Sequence, residues 1–185
     1  GSGFKVPYQP GDMETDVVSL GNKVAEAFHA YEKETGKKIE IWFEPGKYIV
    51  SEAGYLVVKA NVVKQTTATV FAGVNSGFNH LIRPMFYESY HRIENISNPC
   101  GAERIYTVVG NICETDTFAW DRKISEVREG DYMVFYNAGA YGFEMSSNFN
   151  SRLKPAEVLV KDDQYLLIRK REEFEELLRN QIEVV

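Results

Sequence analysis

Two cysteines in 185 residues are too few for a disulfide framework, and neither Cys100 nor Cys113 lies in a CxxC pair or at a His/Cys spacing suited to zinc. A reducing, cytoplasmic setting is the simplest expectation. Long apolar runs are also missing: none approaches the ~20 residues that cross a bilayer, and no signal peptide is visible. Basic charge is short, with 21 Lys and Arg against 27 Asp and Glu and a net charge of −6. That balance excludes a general attraction to nucleic acid or to an anionic membrane, so any anion must be held by a local site. No internal repeat and no low-complexity segment interrupts the chain.

What is present has the composition of a globular protein: 44% apolar and 26% charged residues, enough for one core of ordinary size or one domain and part of another. The stretch "ETDVVSLGNKVAEAFHAYEKETG" places Val17, Leu20, Val24, Phe28 and Tyr31 at three- and four-residue spacing, which predicts an amphipathic helix begun by Thr15 or Asp16 and ended at Gly36. "KKIEIWFEPG" follows, a short strand pattern with Ile39, Ile41 and Phe43 on one side. A glycine loop, a helix and a short strand form one βα repeat without its first strand.

Beyond Gly54 the pattern becomes β-rich: "YLVVKANVVKQT", "TATVFAGV", "RIYTVVGNI", "DYMVFYNA", "AEVLV" and "QYLLIRK". The expectation is a mainly β domain with some α, closed as a barrel to hide its edges. Near the C-terminus, Phe174, Leu177, Leu178 and Ile182 predict a short amphipathic helix.

Four stretches put reactive or anion-binding side chains beside turn residues: "FEPGKY", "SGFNHLIRPMFYESYH", "VGNICETDTF" and "NAGAYGFEMSSNFNSRLKPAEV". Cys113 with Glu114 at the end of a strand-like run reads either as a buried, inert thiol or as a proton donor or nucleophile beside an acid that binds a cation. Arg83 precedes Pro84, which disfavours a helix running through it. Tyr87 lies four residues on, so one helical turn would let both face a carboxylate; a pairing of Arg83 with a surface acid is the alternative. Tyr141 between glycines suits close approach to a phosphate or cofactor ring, or a place in the core. His29 reads as a surface residue, and His80 and His91 as structural or supporting groups.

In order, "GSGF", "EPGKYIVSEAG", "LIRPMFYESYH", "VVGNICETDTFA" and "NAGAYGFEMSSNFNSRLKPAEVLV" resemble the corresponding stretches of the diaminopimelate decarboxylase family, fold-type III enzymes using pyridoxal phosphate. The resemblance runs from Gly1 to about Val160. It implies a fold-type III β-barrel domain over residues 47–185, preceded by the last βα portion of a (β/α)8 barrel over 1–46. It further implies a phosphate loop at Ser2 and Gly3, where the family usually reads Gly-Gly-Gly, and further cofactor contacts at Glu44, Gly46 and Tyr141.

Substrate contacts are implied at Lys47, Arg83, Tyr87, Glu114 and Tyr141, with Glu114 reading the distal amino group and Cys113 as proton donor from the partner of a homodimer. Lys47 stands where the family has arginine, which keeps the charge and loses the planar fork. The family's Schiff-base lysine precedes the glycine loop, so the 185 residues are expected to be the C-terminal portion of a decarboxylase and inactive alone. A related decarboxylase acting on another basic amino acid or on carboxynorspermidine is the close alternative. A non-catalytic β-barrel binding module is the alternative from another class.

Overall fold

In a computed structural model, which describes residues 3–113 and 115–184, the β-rich region forms a strongly curved sheet. β1 (Leu56–Gln65), β2 (Val70–Val74), β3 (Ile93–Asn95), β4 (Glu103–Val109), β5 (Thr117–Ser125) and β6 (Tyr132–Phe135) take the order β3-β6-β1-β2-β4-β5. The terminal strands of that order, β3 and β5, lie in contact across a seam, so the sheet is nearly closed. The expected barrel is thereby met, with one seam where ladder pairing stops. All neighbours are antiparallel except β2 and β4, which run parallel in the register Phe71 to Thr107. A parallel neighbour needs a crossover; here it occupies residues 75–102 and carries α3 (Arg83–Tyr87) and β3.

The interior follows from alternation along the strands. In β1, Val58 and Ala60 point inward while Val57 and Lys59 face out. With Val74, Tyr106, Val108, Phe118, Ile124, Met133 and Phe135 they build one core. Phe118 and Phe135 meet edge to face at 4.9 Å between centroids. The Tyr106 hydroxyl, fully buried, accepts the Val127 N–H at 3.0 Å.

The flanks differ. α1 (Val17–Thr35) has the predicted ends: the Asp16 carboxylate accepts the N–H groups of Val18 and Ser19 at 3.1 and 2.9 Å, and Gly36 closes the helix at φ 70° with its N–H on the Glu32 carbonyl. The strand expected over 37–46 is not formed. No described strand lies beside it to take its backbone groups, so its alternation survives only as a face: Ile39, Ile41 and Phe43 line an open apolar groove of about 570 Å³ with Val17, Leu20, Val24 and Phe28 of α1. α2 (Gly46–Val50) follows directly.

Two further expectations are corrected. "AEVLV" and "QYLLIRK" do form strands, β7 (Glu157–Lys161) and β8 (Gln164–Arg169), but as a separate hairpin outside the barrel sheet. It turns at Asp162 and Asp163, both at positive φ, as a two-residue hairpin turn requires. The C-terminal helix α4 (Phe174–Leu178) is a short turn with a capping box between Glu173 and Glu176 and stops before Ile182.

Candidate active site

Arg83 opens α3, with Pro84 in the first turn, where a missing N–H leaves no bond unmade. The helix therefore starts at Arg83 rather than running through it, as the Arg-Pro pair requires. It stops when Glu88 turns to φ 53°. One helical turn is enough to bring the guanidinium within 5.8 Å of the Tyr87 ring centroid, the i,i+4 relation read from the sequence.

Tyr141 adds a second ring at 5.6 Å and Tyr8 a third at 5.0 Å. Arg83 is 8% exposed, whereas Tyr87 and Tyr141 are 54% and 43% exposed. The arginine thus lies beneath partly open aromatic walls. Its Nη2 donates to Ser89 Oγ at 3.2 Å, and its Nε is buried with no partner. Among the described residues no carboxylate pairs with it. Three π faces attract a cation but do not accept its N–H bonds, so a desolvated guanidinium here calls for an anionic ligand. Among the described residues Arg83 pairs with no surface acid, the other sequence reading of it.

The walls are held by unusual backbone. Tyr141 sits at φ 58°, strained for a bulky residue, with its N–H on the Glu144 carboxylate. Its loop docks on the α2 region through Ala138 N–H to Gly54 O at 2.8 Å and Gly139 N–H to Ser51 O at 3.0 Å. A Cβ on Gly139 would run into the Val50 carbonyl, and one on Gly54 into the Gly139 backbone, so both positions need glycine for close approach.

Tyr8, between two prolines, ties the anion side to the α2 side. Ser51 Oγ donates to the Lys47 carbonyl at 2.7 Å, so in the 3.1 Å contact between Tyr8 and Ser51 the phenol is the donor. Sequence reasoning passed over Tyr8. The only local sign was an aromatic in the rigid "VPYQP" segment, because its partners lie more than 40 residues away.

His91 packs its ring edge to face on Tyr8 at 5.5 Å between centroids. Its Nδ1 donates to the Tyr136 carbonyl at 2.8 Å, which leaves Nε2 as a buried, unpartnered acceptor. Burial, with the Arg83 and Arg122 charges adding, lowers its pKa to about 4. It stays neutral beside the arginine, a supporting role consistent with its sequence reading. His80 is likewise held neutral by burial, between Ser76 Oγ and the Leu153 carbonyl, both at 2.9 Å, and His29 is on the surface as expected.

The remaining expected residues fall in two other places. Gly3, Glu44, Gly46 and Lys47 lie at the N-terminal side, where the Phe4 ring packs at 5.8 Å on Phe43 and 6.0 Å on Tyr48 and so sets the two glycine segments side by side. Glu44 is exposed and Lys47 half-buried. Open space lies where a Cβ of Gly3 or Gly46 would be, and Pro45 offers no side chain to cap the first amides of α2. Uncapped first-turn amides at Gly46, beside glycines with room for a ligand, fit one side of a phosphate cradle. Ser2 and Glu114 are outside the described residues.

Cys113 is exposed in the loop joining β4 to β5, and no described residue hydrogen-bonds its thiol. The reading of Cys113 as a buried, inert strand cysteine is therefore overturned: β4 ends at Val109, and the chain leaves the sheet before reaching it.

A curved sheet domain thus presents a desolvated arginine among tyrosines, with no carboxylate on it among the described residues, a geometry suited to holding an anion. Residues 47–139 match the family described as pyridoxal-dependent decarboxylase, C-terminal sheet domain. The chain belongs to that family. It is 42% identical over 185 residues to the diaminopimelate decarboxylase of Methanothermobacter thermautotrophicus, covering 98% of this chain and 43% of the relative. To that of Aquifex aeolicus it is 36% identical, covering all of this chain and 43% of the relative. The crystal structure of diaminopimelate decarboxylase from M. jannaschii in co-complex with L-lysine superposes with a TM-score of 0.90 at 30% identity, covering 97% of this chain and 41% of that one. The chain thus spans less than half the length of the relatives it matches.

Proposed function

We propose that this chain supplies the C-terminal part of a diaminopimelate decarboxylase, which converts meso-2,6-diaminopimelate to L-lysine and carbon dioxide. The observation that carries the reading is Arg83: a nine-tenths buried guanidinium with no acidic partner among the described residues, walled by Tyr8, Tyr87 and Tyr141. The substrate differs from the product by a carboxylate at one end, and the end that keeps its carboxylate needs a fixed cation. Arg83 holds that distal carboxylate with Tyr87 and Tyr141, Lys47 adds a second positive charge, and Glu114 takes the distal ammonium. Residues 1–46 serve as the last βα portion of the cofactor barrel, and 47–185 as the sheet domain.

The family is pyridoxal-dependent, and the open glycine segments fit the cofactor's phosphate: Ser2, Gly3 and Gly46 would hold it through backbone N–H groups, with Glu44 and Tyr141 beside it. Bound there, pyridoxal phosphate supplies an electron sink for the bond that breaks. Cys113, exposed on its loop, gives a proton to the α-carbon that has lost carbon dioxide, acting as general acid from the partner of a homodimer. No described helix is long and apolar enough to cross a membrane. A cytoplasmic setting fits the two unpaired thiols.

Turnover of meso-diaminopimelate, lysine and carboxynorspermidine by the full-length protein tests the reading. Diaminopimelate is expected to be preferred, and equal or faster turnover of either other substrate would sink it. Arg83→Lys keeps the charge and loses the fork, and is expected to raise KM for diaminopimelate by roughly tenfold or more, a loss of about 1.4 kcal/mol. Cys113→Ala is expected to lower kcat by about 10²-fold.

A further inference from the structure

The "SGFNH" segment at 76–80 and Asp116, three residues beyond Cys113, have so far been given no functional task. Asp116 is 5% exposed, yet no cation pairs with it among the described residues. Its carboxylate is spent on backbone instead: Oδ1 accepts the Phe78 N–H at 2.6 Å, and Oδ2 accepts the Ile112 N–H at 2.9 Å. Its carbonyl accepts the Gly110 N–H at 2.7 Å, and Asn111 N–H reaches the Ser76 carbonyl at 3.0 Å. One side chain therefore ties residues 110–112 to Asp116 and to 76–80.

The space it occupies is shaped for it. A Cβ on Gly110 would run into the carboxylate, and one on Gly77 would lie 2.8 Å from Oδ2 and from the Ile112 side chain. The far side of 76–80 is anchored as well. Ser147 N–H donates to the Asn79 carbonyl at 2.8 Å, Phe78 stacks on Phe149 at 4.9 Å, and His80 bridges Ser76 and Leu153. Between the anchors at Ile112 and Asp116 projects Cys113, exposed and with no hydrogen bond to its thiol among the described residues.

We propose that Asp116 is a positioning residue for Cys113: its buried carboxylate, seated between Gly77 and Gly110, fixes the exposed β4–β5 loop on the 76–80 brace so that the thiol is presented from one place. The functional meaning rests on Cys113 being the proton donor; the loop geometry does not. A carboxylate is the side chain that fits, because both donors are N–H groups and only two acceptor oxygens satisfy both. Asp116→Asn would turn an NH2 group on one of them and lose that bond. Asp116→Ala loses both and leaves two buried amides unpaired.

The test is ¹⁵N relaxation on the 185-residue chain, which reads the loop without reference to turnover. In the wild type the Cys113 amide is expected to be rigid, with an order parameter near about 0.85, and in Asp116→Ala it is expected to fall below about 0.6. Asp116→Asn, the variant that keeps the shape and most of the fold, is expected to fall between, with fast hydrogen exchange at Phe78 or Ile112. Val127→Ala, a destabilising core change away from the loop, is expected to leave Cys113 rigid, separating positioning from general loss of stability. A Cys113 amide as ordered in Asp116→Asn as in the wild type, or one already mobile in the wild type, would overturn the proposal. Failure of the Cys113→Ala turnover test alone would overturn the donor role and leave this anchoring intact.

Discussion

The barrel sheet and its flanks use apolar residues of the same kinds to opposite effect. Within the barrel, residues from Val58 to Phe135 form a closed interior in which Tyr106, Met133 and Phe135 have no exposure. In the flanks, Ile39, Ile41 and Phe43 lie about half exposed along the α1 groove, and Val160, Tyr165 and Leu167 of the hairpin are more exposed still. A two-stranded hairpin or a single amphipathic helix has only one layer, and burial needs two. Cohesion in this chain therefore resides in the barrel, while the flanks carry elements whose local signals are strong and whose packing is thin. The candidate-site cluster bridges the two: Arg83 and Tyr141 follow strands of the barrel region and Tyr8 belongs to the N-terminal flank.

The sharpest way to break this contrast is truncation on each side of it. Tyr106→Ala removes a fully buried ring and strands the Val127 N–H, and is expected to cost about 3–5 kcal/mol. Ile41→Ala at the groove is expected to stay within about 0.5 kcal/mol. Denaturant midpoints compare the two, and similar losses would show that the flank is packed as the core is.

A second measurement uses pH. The folded pKa of His91, about 4, lies below the ordinary value of 6.5, so the unfolded chain takes up a proton that the folded one refuses. That contribution to stability is complete above about pH 6.5 and is lost as pH falls to about 4, on the order of 3 kcal/mol in all. His80, also lowered by burial, acts in the same direction. Asp116, raised by burial, acts oppositely, since its folded form holds a proton more readily. His91→Gln is expected to flatten the fall between pH 6.5 and 4, and an unchanged slope would show that His91 is not the group responsible.

A further effect is local. Asp16→Ala removes the α1 cap and is expected to cost about 1 kcal/mol, read as faster hydrogen exchange in the first turn of α1 with the β1 and β4 amides unaffected. Loss of protection in those strands would mean that helix and barrel open together.

What could be read in advance divides along similar lines. α1 was legible to its caps because Asp16 and Gly36 act within a few residues of themselves, and β1, β2, β4 and β6 because both their composition and their turns are local. β5 escaped because Asp121, Arg122 and Lys123 interrupt its apolar pattern, and β3 because three residues carry no period. The strand expected at 37–46 failed for want of a neighbour, which no sequence window contains. In the site, Arg83 and Tyr87 were legible as an i,i+4 pair. Tyr8 and Asp116 were not, since each acquires its meaning from a partner far along the chain, Arg83 for the one and Phe78 for the other.

The parallel pairing of β2 with β4 also has a consequence in time. It cannot form until the chain from 75 to 102 has closed as a loop, and such long-range closures are the slow events of folding. Arg83 travels in that loop, while two of its aromatic neighbours arrive from near residue 8 and near residue 141. The Arg83 cluster therefore joins segments that lie far apart along the chain, and forms only after contacts that are local in sequence.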